Sequence, residues 1–238
     1  MFRLFTFLAA MAMLLFALSG GGIFWIATSA ISQSKLDSVG ALAKGIGLSI
    51  TAQIELINQT LDSMSQDGET LQALASGNPT KIENAAKRIS DQLPNVFNVR
   101  LLLPGITELE VRGNAPMTYA DLNMVREAFA ASQNPLPAIQ GDAPKKRHLA
   151  IARKIVQGGQ TIGVLLASFD GDFIRKNLLL TQVDDGYIQL HQAKLILGAA
   201  GFPPNKEYSA GLKIPVANTD WELSYGVNDS SITLDSGL

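Results

Sequence analysis

The chain has 238 residues, 47% of them hydrophobic and 17% charged, with a formal net charge of −2. That composition excludes a disordered chain, a fibrous repeat and a basic nucleic-acid binder. With no cysteine there is no disulfide framework and no thiolate nucleophile, and two histidines, His148 and His191, leave little room for a zinc centre.

After Arg3 no charged residue appears until Lys35, and residues 4–31 are dominated by Leu, Ala, Phe, Met, Ile and Gly. A hydrocarbon core about 30 Å thick needs roughly 20 apolar residues in a helix, so this stretch is long enough to cross it. A cleaved signal has a shorter apolar region of about 7–15 residues. Thr28-Ser29-Ala30 imitates a cleavage site and Ser19-Gly20-Gly21-Gly22 interrupts the run, so a removed signal stays the alternative to an uncleaved anchor. Arg3 and the amino terminus are the positive charges nearest the start of the span. The positive-inside rule then puts the N-terminus in the cytoplasm and the chain from about residue 32 outside.

Leu36, Val39, Leu42, Ile46, Ile50, Ile54, Ile57, Leu61 and Met64 recur every three or four residues, one face of a long helix continuous with the membrane span. Gly40, Gly45 and Gly47 weaken its start, each by up to about 1 kcal/mol against alanine. Gly77-Asn78-Pro79 stops it. Pro79 suits the first turn of a second helix capped by Asn78, with Ile82, Ala86, Ile89 and Leu93 as its buried stripe and Pro94 at its close. Both stripes read as ordinary core, and the longer one also as a stalk that pairs with its copy in a homodimer.

From Val96 the period changes to two. Residues 96–103 read as a strand ending at Pro104-Gly105. Thr118, with Asp121 three residues on, resembles a capping box ahead of a helix whose apolar face carries Leu122, Val125 and Phe129. Residues 132–147 are a polar, proline-rich loop. Residues 148–156 and 161–169 are strands joined through Gln157-Gly158-Gly159-Gln160, a hairpin signal because glycine supplies positive φ. Residues 170–180 form a short helix, and 187–191, 194–197, 212–216 and 220–227 are the remaining strands. The expected fold is α+β: a transmembrane helix, a long stalk helix, then a mostly antiparallel sheet flanked by helices. The divisions are 1–34 as anchor, 35–94 as stalk and helical part, 95–228 as the α+β domain, and 229–238 as a tail leading toward a second membrane helix.

At HLAIARKIVQGGQTIGVLLASFD (148–170), GYIQLHQ (186–192) and NTDWELSYGV (218–227) the chain resembles the Cache family, the PAS-like extracytoplasmic sensor domains of bacteria. The tyrosine–arginine–tryptophan–tyrosine series of amino-acid-binding members has no counterpart that can be placed here. PMTYADLNMVREA (116–128), RHLAIARKI (147–155), GYIQLHQ and NTDWELSYG are similar, more narrowly, to the N-terminal membrane region of long-form bacterial phosphomannomutase/phosphoglucomutases. The mutase phosphoserine loop is absent, and Asp170-Gly171-Asp172 matches the letters of its metal site without the rest of the motif. The resemblance implies a non-catalytic sensory or regulatory front end in the bacterial inner membrane, with the lipid bilayer as partner of residues 4–31. The enzyme status of a full-length protein, a possible phosphohexomutase, stays open, as does the sensor region of a chemoreceptor, cyclase or histidine kinase, or a ligand-free scaffold.

No motif calls for a cofactor or a metal. Asp170-Gly171-Asp172 and Asp184-Asp185-Gly186 read as turns rather than cation sites. Gly158-Gly159 lacks the lysine and helix of a phosphate loop. Lys145-Lys146-Arg147-His148 reads as a solvated basic patch or a contact for lipid headgroups. Candidate ligand-binding residues are Arg153, Arg100, Trp221 and Tyr225. Arg153 shares a strand face with Leu149, Ile151 and Ile155, and a buried guanidinium needs an anion, either a ligand or an internal carboxylate. Arg100 interrupts an apolar strand in the same way. Trp221 and Tyr225 alternate with Asp220, Glu222 and Ser224, as sheet interior or as pocket lining. A small anionic ligand is the partner such residues would take.

Overall fold

A computed structural model describes residues 2–110, 115–141, 147–184, 186–202 and 211–227, with the backbone alone for residues 2–29 and for Phe173. Helix α1 runs unbroken from Phe2 to Ser65. The anchor expected over residues 4–31 lies almost wholly outside the described side chains. Among the described residues no helix is long and apolar enough to cross a membrane. From Val39 onward α1 buries Ala43, Ile46, Ile50, Ile54 and Leu61, the face its apolar spacing marks.

The helix does not continue to Gly77 as expected. Asp67 begins a new helix, α2 (Gly68–Ala75), by accepting a hydrogen bond from the Thr70 backbone N–H. Arg88 of α3 (Pro79–Gln92) pairs with the same Asp67 carboxylate and holds it below the usual carboxylate range. Asn78 caps α3 by accepting from the Thr80 and Lys81 N–H groups, and Pro79 occupies the first turn.

The strands form two four-stranded antiparallel sheets rather than one. The first has the order β1-β4-β3-β2, built from β1 (Val96–Leu102), β2 (Ala138–Gln140), β3 (His148–Gln157) and β4 (Gln160–Asp170). The second has the order β6-β5-β8-β7, built from β5 (Gly186–Gln192), β6 (Leu195–Gly201), β7 (Leu212–Pro215) and β8 (Trp221–Val227). Period-two patterning locates strands without naming their partners, which is why the division was not visible in it. The Gly158-Gly159 turn sits at φ 58° and 79°, the left-handed region a two-residue hairpin demands. Strand β2 falls inside the stretch expected to be only loop. It is three residues long and occupies the sheet edge.

Helix α4 (Tyr119–Ala130) covers one face of the first sheet; α1, with α2 and α3, lies on the other. The α1 side forms a single core that runs from Ile151 and Ile155 in the first sheet to Leu190, Trp221 and Leu223 in the second. Gly40 admits the second sheet to α1: a Cβ there would lie 3.0 Å from Tyr225 Cε2. Helix α5 (Asp172–Leu179) connects the sheets and packs on β6. Its N-cap is Gly171, without a side-chain hydrogen bond, and Asp170 Oδ1 instead accepts from the Asp172 N–H at 2.9 Å.

One side chain ties the sheets together. Gln192, at the end of β5, accepts from the Ile139 N–H at 2.7 Å and donates to the Ile139 carbonyl at 3.3 Å. Ile139 sits on the edge strand β2, so the amide imitates one more strand on an edge otherwise without a neighbour. The same Oε1 accepts from Trp221 Nε1 at 2.8 Å, which fixes the amide from the β8 side.

Candidate functional site

Strand β3 is buried on both faces. Leu149, Ile151, Arg153 and Ile155 point to α1, whereas His148, Ala150 and Ala152 point to α4. Sequence alternation identifies both sets, but not that a helix covers the second. His148 is therefore not part of a solvated basic patch: it is 1% exposed. Lys145 and Lys146 lie outside the described residues.

Under α4 the polar groups converge. His148 Nε2 donates to Asp121 Oδ1 at 3.0 Å, both side chains being 1% exposed. Asp121 is also the third residue of the capping box: its Oδ2 accepts from the Thr118 N–H and hydroxyl, each at 2.7 Å. Burial raises the Asp121 carboxyl, but the hydrogen bonds from His148 and Thr118 outweigh it and hold the group below the usual carboxylate value. A capping motif legible in the sequence thus doubles as the anchor of a buried histidine.

Arg100 stands on the same face of the sheet, 3% exposed. Its Nη2 donates to the Ala115 carbonyl at 2.9 Å, and its Nε lies 3.2 Å from Glu110 Oε2. The third nitrogen, Nη1, is buried with no hydrogen-bond partner among the described residues. Ser168 Oγ, one strand over on β4, is likewise buried without a partner among the described residues. Register places Asn98 opposite Ser168 and Arg100 opposite Leu166, so Arg100 and Ser168 are diagonal neighbours. Leaving a charged donor unsatisfied in an apolar layer is costly. Arg100 Nη1 and Ser168 Oγ are thus two buried polar groups on the α4 face without a partner among the described residues.

The other three sequence candidates lie elsewhere. Arg153 faces α1, where its Nε is 3.1 Å from Asp62 Oδ1 and its Nη1 donates to the Ala152 carbonyl at 3.3 Å. Burial lowers its pKa, and the charges of Asp62 and Glu55 oppose that shift. Trp221 is buried against Gln192, and Tyr225 is half-buried beside Gly40 of α1. Arg100 is not brought together with any of the three. Sequence reasoning passed over Asp121, His148 and Ser168 as site residues. The available signal was the run of small residues, Ala150 and Ala152, alternating behind His148 and leaving room for a covering helix.

No family model matches the chain, and no curated protein does. Solved structures do. The ligand-binding domain of the Campylobacter jejuni chemoreceptor Tlp3, in complex with 4-methylisoleucine, is similar at 14% identity and a TM-score of 0.61, covering 87% of this chain and 96% of that one. The ligand-binding domain of Mlp24 with asparagine is similar at 12% identity and a TM-score of 0.58, covering 84% of this chain and 95% of the other. The sensor domain of the V. cholerae histidine kinase DctB is similar at 14% identity and a TM-score of 0.51, over 71% of this chain and 67% of that domain. Nothing in these comparisons carries the narrower likeness to phosphomannomutases. What the likeness shows is the fold alone, an α+β arrangement of antiparallel sheets and helices similar to that of these chemoreceptor and histidine kinase sensor domains.

Proposed function

We propose that the chain is the extracytoplasmic sensor region of a membrane receptor, non-catalytic in itself. It binds a small anionic molecule at Arg100, between the first sheet and α4, and reports occupancy through α1. The observation that carries this reading is the Nη1 of Arg100 on the α4 face, buried and without a hydrogen-bond partner among the described residues. The structural neighbours support the class of function, since two of them are ligand-binding domains that hold amino acids or a close analogue. Their occupants do not name the ligand here.

A ligand transmits only if it binds one arrangement of the protein better than another. The layout supports that step, because the strand carrying Arg100 pairs with β4, β4 pairs with β3, and β3 packs on α1. Membrane anchoring through residues 4–31 and pairing of two copies through α1 belong to the same proposal. The test is the melting temperature of the full chain in detergent against a panel of organic acids, amino acids and sugar phosphates. At least one anion should stabilise the wild type, by about 3 kcal/mol at a hundredfold excess over its Kd. Arg100→Met should abolish that stabilisation. Stabilisation by no member of the panel would favour a ligand-free scaffold.

A further inference from the structure

We propose a second small-molecule site in the cleft between the two sheets, away from Arg100, which takes a small organic carboxylate with an apolar body. A cavity of about 360 Å³ opens there, near the lower end of the roughly 300–1,000 Å³ typical of ligand pockets. Its apolar wall comes from three directions: Phe97 and Ile139 from the first sheet, Ile174 from α5, and Leu197 from the second sheet.

Two arginines, Arg147 and Arg175, and two aspartates, Asp170 and Asp172, line it. Arg175 Nη2 sits 3.4 Å from Asp172 Oδ1, so these two largely answer each other. Asp170 Oδ1 accepts from the Asp172 N–H. Among the described residues Arg147 makes no ion pair, and its Nε is buried without a hydrogen-bond partner. An acceptor is what this Nε lacks. Asp170 and Asp172 also line the cavity and would repel a doubly charged group, so a singly charged, planar carboxylate fits better than a phosphate. The fork of Arg147 meets the carboxylate, and Phe97, Ile139 and Leu197 cover the rest of the molecule.

The position gives the site a consequence. Ile139 is the residue whose backbone Gln192 holds from the second sheet. An occupant resting on Ile139 and Leu197 therefore touches both sheets beside the Gln192 clip, and favours whichever relative placement of the sheets fits it.

The experiment is calorimetric titration of the full chain in detergent with benzoate, phenylacetate and hexanoate, against benzyl alcohol and benzylamine as neutral and cationic counterparts. The carboxylates should bind and the counterparts should not. Arg147→Met should weaken carboxylate binding about tenfold or more, with Arg147→Lys recovering part of it. Leu197→Trp, which fills the cavity from the other sheet, should abolish binding while thermal unfolding stays cooperative. Arg100→Met should leave this binding unchanged, which separates the cleft from the site under α4. Binding by none of the three carboxylates would overturn the proposal. So would binding that survives both Arg147→Met and Leu197→Trp, or binding that disappears in Arg100→Met.

Discussion

Arg153 and Arg100 look alike in the sequence, each a lone cation in an apolar strand, yet the structure gives them different surroundings. Arg153 meets Asp62, whose side chain is 49% exposed, whereas its own is 6% exposed. The two halves of that pair are therefore not equivalent. Asp62→Ala strands a buried guanidinium, and breaking a buried pair from that side costs about 3–5 kcal/mol. Arg153→Met leaves behind only a half-solvated carboxylate and fills the space with an apolar stem, so its cost should stay below about 1.5 kcal/mol. Urea unfolding of both variants measures the difference. Equal costs, or a larger one for Arg153→Met, would mean that Asp62 is not what holds the guanidinium. Alternation along β3 shows that Arg153 shares a face with Leu149 and Ile155. It says nothing of Asp62, which lies about ninety positions away on another element, and so the choice between ligand and internal carboxylate was not legible.

Elements whose signals are local could be read directly. Asn78-Pro79, the Thr118–Asp121 box and Gly158-Gly159 each act on neighbouring backbone, and each appears where its chemistry places it. Elements that depend on distant partners could not, such as the edge strand β2 and the split into two sheets. Helix α1 shows both cases. Its buried stripe is plain in the sequence, while its outward stripe matters only once the sheets have covered the other face. Ser38, Leu42, Gly45, Ser49, Ala52, Leu56, Gln59 and Ser63 are all exposed, with no charge among them. They recur at alternating steps of four and three, the spacing of a coiled-coil seam. Leu42 and Leu56, 41% and 65% exposed, are the large apolar members of that seam. Two copies joined along it would bring the paired small residues close together. Ala52→Cys should then form a disulfide-linked dimer on mild oxidation in membranes, and Lys44→Cys, on a charged flank, should not. Equal cross-linking at both positions, or none at Ala52→Cys, would remove α1 as the pairing surface.

At the scale of the whole molecule, one core along α1 joins two sheets that share no backbone hydrogen bonds among the described residues, and Gln192 adds a side-chain clip between their edges. Such a body is suited to carrying a change from one sheet to the other. The resemblance at residues 148–170 and 218–227 pointed to this fold because strand pattern and turn chemistry survive where identity does not. The site was less legible, since its buried groups come from β1, β3, β4 and α4, and only tertiary packing assembles them. The most direct measurement is amide hydrogen exchange across the full chain, with and without the anion that gives the largest stabilisation. The sensor account expects slower exchange in Val96–Leu102 and Tyr119–Ala130, extending through Ala138–Gln140 to the second sheet and α1, and no change in Arg100→Met. Protection confined to the second sheet, or protection that persists in Arg100→Met, would contradict it.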